Sequence, residues 1–494
     1  TDPSERGRIC PAPRVRVVRA LFFCSFGVFK NCLFFYTFQS YSGSISYIAM
    51  PRSRASKPPP SHQETRKRAA QGKDTKSTKA KGKDGKETKA KKARLEVPKA
   101  KRRELVGQAY SLGTGDMGQL GLGPDIVEKS RPALVPGHTD VVDVVAGGMH
   151  SLLLSSTGKV FSFGCNDEGA LGRPTSTLDG SETTPGAVEL PEPVTHVSAG
   201  DSHSAALTVS GAVFVWGSFR DSNGFMGLLA AGKSEPKPVR IAEGIVQIAS
   251  GSDHLVLLSK DGRLLTLGGA EQGQLGRVAR FFASRGGRKG PSNLLQPMPV
   301  VVNKPRGCSS VAFDHVWTGS YVTFARMRDN GALYGFGLNN YHQLGSLAST
   351  SSGDLVQFMP TLLTSCTEHR WKKVCGGQHH TMLLDEEGGV YAMGRHDYGR
   401  LGLGPNCTEQ ETPRKVPGLP PCVDISCGDS VSFAVTAEGR VFSWGFGENL
   451  QLGHGDDSED VLEPKVMTGK LISSKKALLV SGGGQHALIL AMDS

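Results

Sequence analysis

Apolar and small residues alternate in short runs along residues 105–494, and the runs end at glycine-containing turns. This period-two pattern, bounded by turn signals such as Asp261-Gly262, Asn330-Gly331 and Glu438-Gly439, predicts short β-strands; no long stretch carries a helical period. The runs belong to two alternating phrases. The first reads AYSLGTGDMGQLGLG (109–123), VFSFGCNDEGALGR (160–173), VFVWGSFRDSNGFMG (213–227), LLTLGGAEQGQLGR (264–277), LYGFGLNNYHQLG (333–345), VYAMGRHDYGRLGLG (390–404) and VFSWGFGENLQLGHG (441–455). The second reads AGGMHSLLL (146–154), AGDSHSAAL (199–207), SGSDHLVLL (250–258), TGSYVTFA (318–325), GGQHHTMLL (376–384), CGDSVSFAV (427–435) and GGGQHALIL (482–490).

The first glycine of each opening phrase falls at Gly113, Gly164, Gly217, Gly268, Gly337, Gly394 and Gly445, giving steps of 51, 53, 51, 69, 57 and 51 residues. A unit of about 50 residues with about four short strands is the size of one propeller blade, and radial closure protects the sheet edges. The expected fold class is all-β, a seven-bladed propeller. The chain enters the array in mid-unit at 109 and leaves it on a lone second phrase at 482–490, so the N- and C-terminal strands must share a blade.

Charge divides the chain further. Residues 50–104 hold 20 Lys/Arg against 6 Asp/Glu and residues 1–49 hold 6 against 2, so within a total of +11 the repeat region is net −7. The segment 66–104 lacks aromatics and nearly lacks large aliphatics, so it is expected to be a disordered basic tail. Lysine-rich arms bind phosphate backbones by counterion release, and the clusters Arg66-Lys67-Arg68, Lys89–Lys92 (with Lys91 and Lys92) and Lys99–Arg103 (with Arg102 and Arg103) also suit nuclear import receptors. A merely solvating tail is the alternative. The apolar run 20–36 is interrupted by Lys30 and is too short to span a bilayer. With Met50 the first methionine, residues 1–49 read as translated upstream sequence, 50–104 as the tail and 105–494 as the propeller. The cysteines form no CxxC pair, so no zinc site and no disulfide framework is expected.

The repeat glycines are not phosphate loops, because strands rather than helices follow them. Tight turns and close packing account for them. A histidine follows the second-phrase glycines at His150, His203, His254, His380 and His486, while Val431 takes that place once and TGSYVTFA has none. Radial repeats hold equivalent residues too far apart to share a metal, so these histidines either hydrogen-bond within their own blades or form a binding rim. Asp116, Asp201 and Asp253 stand beside turn glycines or the repeat histidine, where each serves an Asx-turn or an acidic rim facing a basic partner. No arrangement for covalent catalysis and no cofactor motif is visible.

Two stretches break the repeat. In residues 216–227 a longer hairpin with Asn223-Gly224 at its tip replaces the usual GQLG turn, and in 277–293 the sequence RVARFFASRGGRKGPSN accounts for the 69-residue step. A tolerated insertion and a solvated loop are the plain readings of the two.

The phrases VFSFGCNDEGALGR, AGDSHSAAL, WGSFRDSNG, EQGQLGR and FGLNNYHQLG, with SRGGRKG and the basic tail, resemble the regulator of chromosome condensation family, exchange factors for the small GTPase Ran. The resemblance runs from about Leu105 to Met492. It implies a nuclear, chromatin-bound guanine-nucleotide exchange factor without covalent chemistry. On the GTPase-facing side it implies Asp201 and Asp253 and the histidines His380, His486 and His342; Asp116 is a further candidate for that side from its own position beside a turn glycine. It makes the 218–227 hairpin a wedge with Arg220 and Asp221 as contacting charges. It assigns Arg285, Arg288 and Lys289 to the nucleosome, with arginine on the histone acidic patch, and the tail to DNA. A non-exchanging propeller scaffold is the alternative.

Overall fold

The computed structural model describes Val97 and residues 103–176, 180–284, 290–303, 311–347, 355–455 and 458–494. Seven four-stranded antiparallel sheets follow one another, with one additional two-stranded hairpin. Six blades are continuous in sequence, spanning 141–188, 194–242, 245–299, 313–362, 371–415 and 422–466. The seventh closes the ring: Gln108–Thr114 and Glu128–Leu134 join Lys475–Gly482 and His486–Asp493, with Gln108 opposite Ala491 and Gly113 opposite His486. The expected shared blade is the one observed.

The second strand of each continuous blade, such as His254–Ser259 or His380–Asp385, is buried along its whole length. Both of its faces are covered by neighbouring blades, so its sequence reads as an unbroken apolar or small run. The core accordingly lies between blades: Trp216, Phe214 and Val197 of one pack with Leu152, Leu154 and Val160 of the preceding one. The repeat glycine is required where the third strand ends. Gly268 has φ +112°, and a Cβ there would lie 2.4 Å from the Asp253 carbonyl oxygen.

Pairings such as His254 with Gly268 put the first-to-second turns and the third-to-fourth connections at the same end of every blade. One face of the disc therefore carries the GxxH turns, the hairpin within 216–227 and the described ends, 277–284 and 290–293, of the longer insertion. Three residues of the stretch expected to be tail, Val97, Arg103 and Glu104, are among those described. Val97 is buried against Val256, Leu258 and Phe313 and donates its N–H to the Lys260 carbonyl at 2.8 Å. The rest of 50–104, with all of 1–49, lies outside the described residues. Among the described residues no helix is long and apolar enough to cross a membrane.

Candidate functional site: the hairpin and the acidic channel mouth

Phe219–Asp221 and Gly224–Gly227 pair antiparallel, and Gly224 takes φ +99° while Asp221 Oδ1 accepts the Asn223 N–H at 2.8 Å. The base is rooted in the core, where Phe219, Met226 and Leu228 pack with Leu255, Leu267 and Leu275. Three acidic side chains brace the shaft. Asp253 Oδ1 accepts the Arg220 backbone N–H at 2.7 Å, Glu168 pairs with the Arg220 guanidinium at 3.1 Å, and Glu271 accepts both N–H and Oγ–H of Ser222 at 2.9 and 2.8 Å. Ser222, Asn223 and Phe225 are left exposed at the tip. Of the two charges that the resemblance implied as contacts, Arg220 is held by the brace and Asp221 closes the turn at the tip.

Beside the hairpin the central channel opens in a mouth of about 200 Å³ lined by Asp201, Ser252, Ser320, Asp429 and the turn glycines. Asp201 is exposed there, and Asp253 and Asp429 are half-buried. Burial, reinforced by the charge of Asp201, pushes the Asp253 carboxyl up to about 8 and that of Asp429 to about 7. These groups hold protons near neutrality, and a cationic partner would draw them into ionisation.

The repeat histidines join blades. His150, His254, His380 and His486 place Nε2 within 2.8–2.9 Å of the hydroxyls of Ser204, Thr323, Ser432 and Ser151 on the next blade. Each hydroxyl has a single proton, and it goes to a loop carbonyl: Ala170, Gln274, Arg400 and Gln119 respectively. The imidazole must therefore donate from Nε2. Burial depresses these rings, His150 to about 4 and His254 and His486 to about 3. His380 and His486 are 0 % exposed, which corrects the expectation that they lie on a contact surface; their hydrogen bonds also cross to the next blade, where bonds within each blade were the other expectation. The ring that does reach this face is His379, half-buried and 5.0 Å from Tyr341. His342 is partly exposed at φ +57°, with Nδ1 paired to Glu409. Asp116 is exposed in the turn after Gly115.

A model of the RCC1-like domain matches residues 108–489. The chain belongs to the regulator of chromosome condensation family. The regulator of Mus musculus is 51% identical over 391 residues, covering 78% of this chain and 91% of the relative. That of Drosophila melanogaster is 45% identical, covering 79% and 69%. Among solved structures, Prp20p of Saccharomyces cerevisiae, described with its binding to Gsp1p and histones, superposes with a TM-score of 0.71 at 29% identity, covering 81% of this chain and 94% of that one. Yeast RCC1 bound to Kap60 gives a TM-score of 0.73 at 27% identity, covering 84% and 97%.

Of the family-implied chromatin contacts, Arg285, Arg288 and Lys289, and Arg66, Lys67, Arg68, Lys91, Lys92 and Arg102 of the tail, lie outside the described residues. Arg103 lies at the opposite channel mouth, near Asp143, Lys373 and Asp424. The sequence reading missed Glu168, Glu271, Asp429 and His379. Asp429 was legible, since it stands in CGDS where Asp201 stands in AGDS; Glu168 and Glu271 were not, because their role depends on which blade lies next door. Among the described residues no group of His, Cys, Asp and Glu is placed to hold a metal ion.

Proposed function

We propose that the chain is a guanine-nucleotide exchange factor for the small GTPase Ran, held in the nucleus on chromatin. The observation that carries this reading is the braced hairpin: a rigid projection rooted in the core beside an acidic mouth is suited to press into a partner. A GTPase holds its nucleotide through P-loop amides, a lysine and magnesium, so release is slow. Exchange requires no bond chemistry. The factor must bind the nucleotide-free GTPase more tightly than the loaded one, because a partner shifts an equilibrium only by differential affinity. The hairpin tip, with Arg220 and Asp221 in its shaft, would disturb the phosphate site. Asp116, Asp201, Asp253 and His342 would hold the basic flank, while His380 and His486 contribute by keeping blades in register.

Prp20p, with its description of Gsp1p and histone binding, and a yeast relative named as a guanine nucleotide exchange factor, 29% identical over 433 residues, support the same reading. On chromatin, Arg285, Arg288 and Lys289 would meet a histone acidic patch, and the basic tail would meet DNA and import receptors. The test is stopped-flow release of a fluorescent guanine nucleotide from Ran by the full chain and by a variant whose 218–227 hairpin is shortened to a GQLG turn. The parent should accelerate release, and the shortened form should bind Ran yet lose most of that acceleration. An unchanged maximal rate in the shortened form would remove the hairpin from the mechanism.

A further inference from the structure

His203 stands alone among the repeat histidines. It is 0 % exposed, yet neither ring nitrogen has a hydrogen-bond partner among the described residues. Both halves of the usual relay are missing. The next blade offers Leu255 where Ser204, Thr323, Ser432 and Ser151 supply a hydroxyl, and the hairpin replaces the GxLG turn whose carbonyl would take that hydroxyl's proton. The His203 ring instead packs on Phe219, the root of the hairpin, with centroids 4.6 Å apart and planes tilted by 57°. Phe219 itself is fully buried.

A buried imidazole without partners costs stability, and this chain has a cheaper residue for the same position. Val431 occupies it in one blade and Val322 in another, each fully buried. In the Val431 blade the facing residue is Ala487, so loss of the hydroxyl there goes with loss of the histidine. At His203 the hydroxyl is gone and the ring remains. Its surviving contact is the one to Phe219.

We propose that His203 is a positioning residue for the 219–227 hairpin: its flat ring sets the angle at which Phe219, and hence the shaft, leaves the disc. The ring acts on nucleotide release through Phe219 and touches neither GTPase nor nucleotide. This inference rests on the reading of the hairpin as the exchange lever. Asp253, Glu168 and Glu271 brace the shaft from outside; His203 supports its root from within.

The experiment compares His203→Val, Phe219→Leu, the double variant and His150→Val as full chains, by stopped-flow release from Ran over a range of exchange-factor concentrations and by thermal melting. His203→Val uses a residue the chain already tolerates at this position, and its melting temperature should stay within about 3 °C of the parent. Its maximal release rate should fall about tenfold while the half-saturating concentration holds, a loss of transition-state stabilisation alone. Phe219→Leu should do the same, and the double variant should be no worse than either single one, because the two residues act as one unit. His150→Val should lower the melting temperature and leave release by the folded protein intact. Parental maximal release in His203→Val, or additive losses in the double variant, would overturn the proposal. If the hairpin-shortened chain loses release and His203→Val does not, only the role of His203 fails; if neither loses it, the lever reading fails with it.

Discussion

Asp253 and Arg220 are joined across a blade boundary, the carboxyl Oδ1 of one accepting the backbone N–H of the other at 2.7 Å. The bond gives Asp253 a second task. A rim carboxyl alone would serve docking, whereas this one also fixes the direction of the hairpin, so Asp253→Ala should reduce maximal release as well as capture of nucleotide-free GTPase.

Asp253→Asn separates charge from geometry. Burial and Asp201 raise the folded carboxyl to about 8, far above its unfolded value, so its contribution to stability is full at acid pH and lost as pH rises from about 4 through 8. Asparagine mimics the protonated carboxyl and keeps the acceptor. The variant should melt above the parent by a margin that grows over that window, reaching about 1–2 kcal/mol once solvent screening of a half-exposed group is discounted. Melting in matched buffers from pH 4 to 9 checks this, and a constant margin would contradict it.

The buried histidines act in the opposite direction. Their folded values, about 4 for His150 and about 3 for His203, His254 and His486, lie below the unfolded one, so the stability they confer is present above about pH 6.5 and lost as pH falls. They outnumber Asp253 and Asp429, so the parent should lose stability between pH 6.5 and 4.5. His486→Val should take up about one proton fewer on unfolding at pH 5. Denaturant titrations across this range measure the slope.

Removing residues 483–494 deletes the strand His486–Asp493 that lies between Lys475–Gly482 and Gln108–Thr114. The ring then opens at its seam and exposes Leu112 and Tyr110 of the facing strand, so the cooperative melting transition and exchange should vanish together. Removing only Asp493 and Ser494 should have little effect. Circular dichroism melting distinguishes the two.

Arg285 and Arg288 among glycines are suited to pair bidentately with carboxylates. Replacing both with alanine should weaken nucleosome binding more than free-DNA binding at one salt concentration, whereas deleting the basic tail should weaken both and flatten the salt dependence. Equal losses on nucleosome and DNA for the arginine variant would reduce the loop to a phosphate contact.

Blade number and the shared closing blade were legible in the sequence, because each repeat carries its own turns and its own period-two runs and the repeat array starts and stops in mid-unit. The carboxylates of the face were partly legible: Asp201, Asp253 and Asp429 occupy neighbouring slots of one repeated phrase. What His380 and His486 do was not. Whether a repeat histidine meets solvent or a hydroxyl depends on a residue of the next blade, 52 positions away for His380 and 335 for His486, and only packing brings Ser432 to His380 and Ser151 to His486. The same holds for the hairpin. Its existence follows from Asn223-Gly224 and the broken GQLG phrase, but its brace is assembled from Glu168, Asp253 and Glu271, contributed by neighbouring blades. Local sequence determines elements whose partners lie a few residues away. Radial closure decides contacts between residues that are neighbours only around the ring.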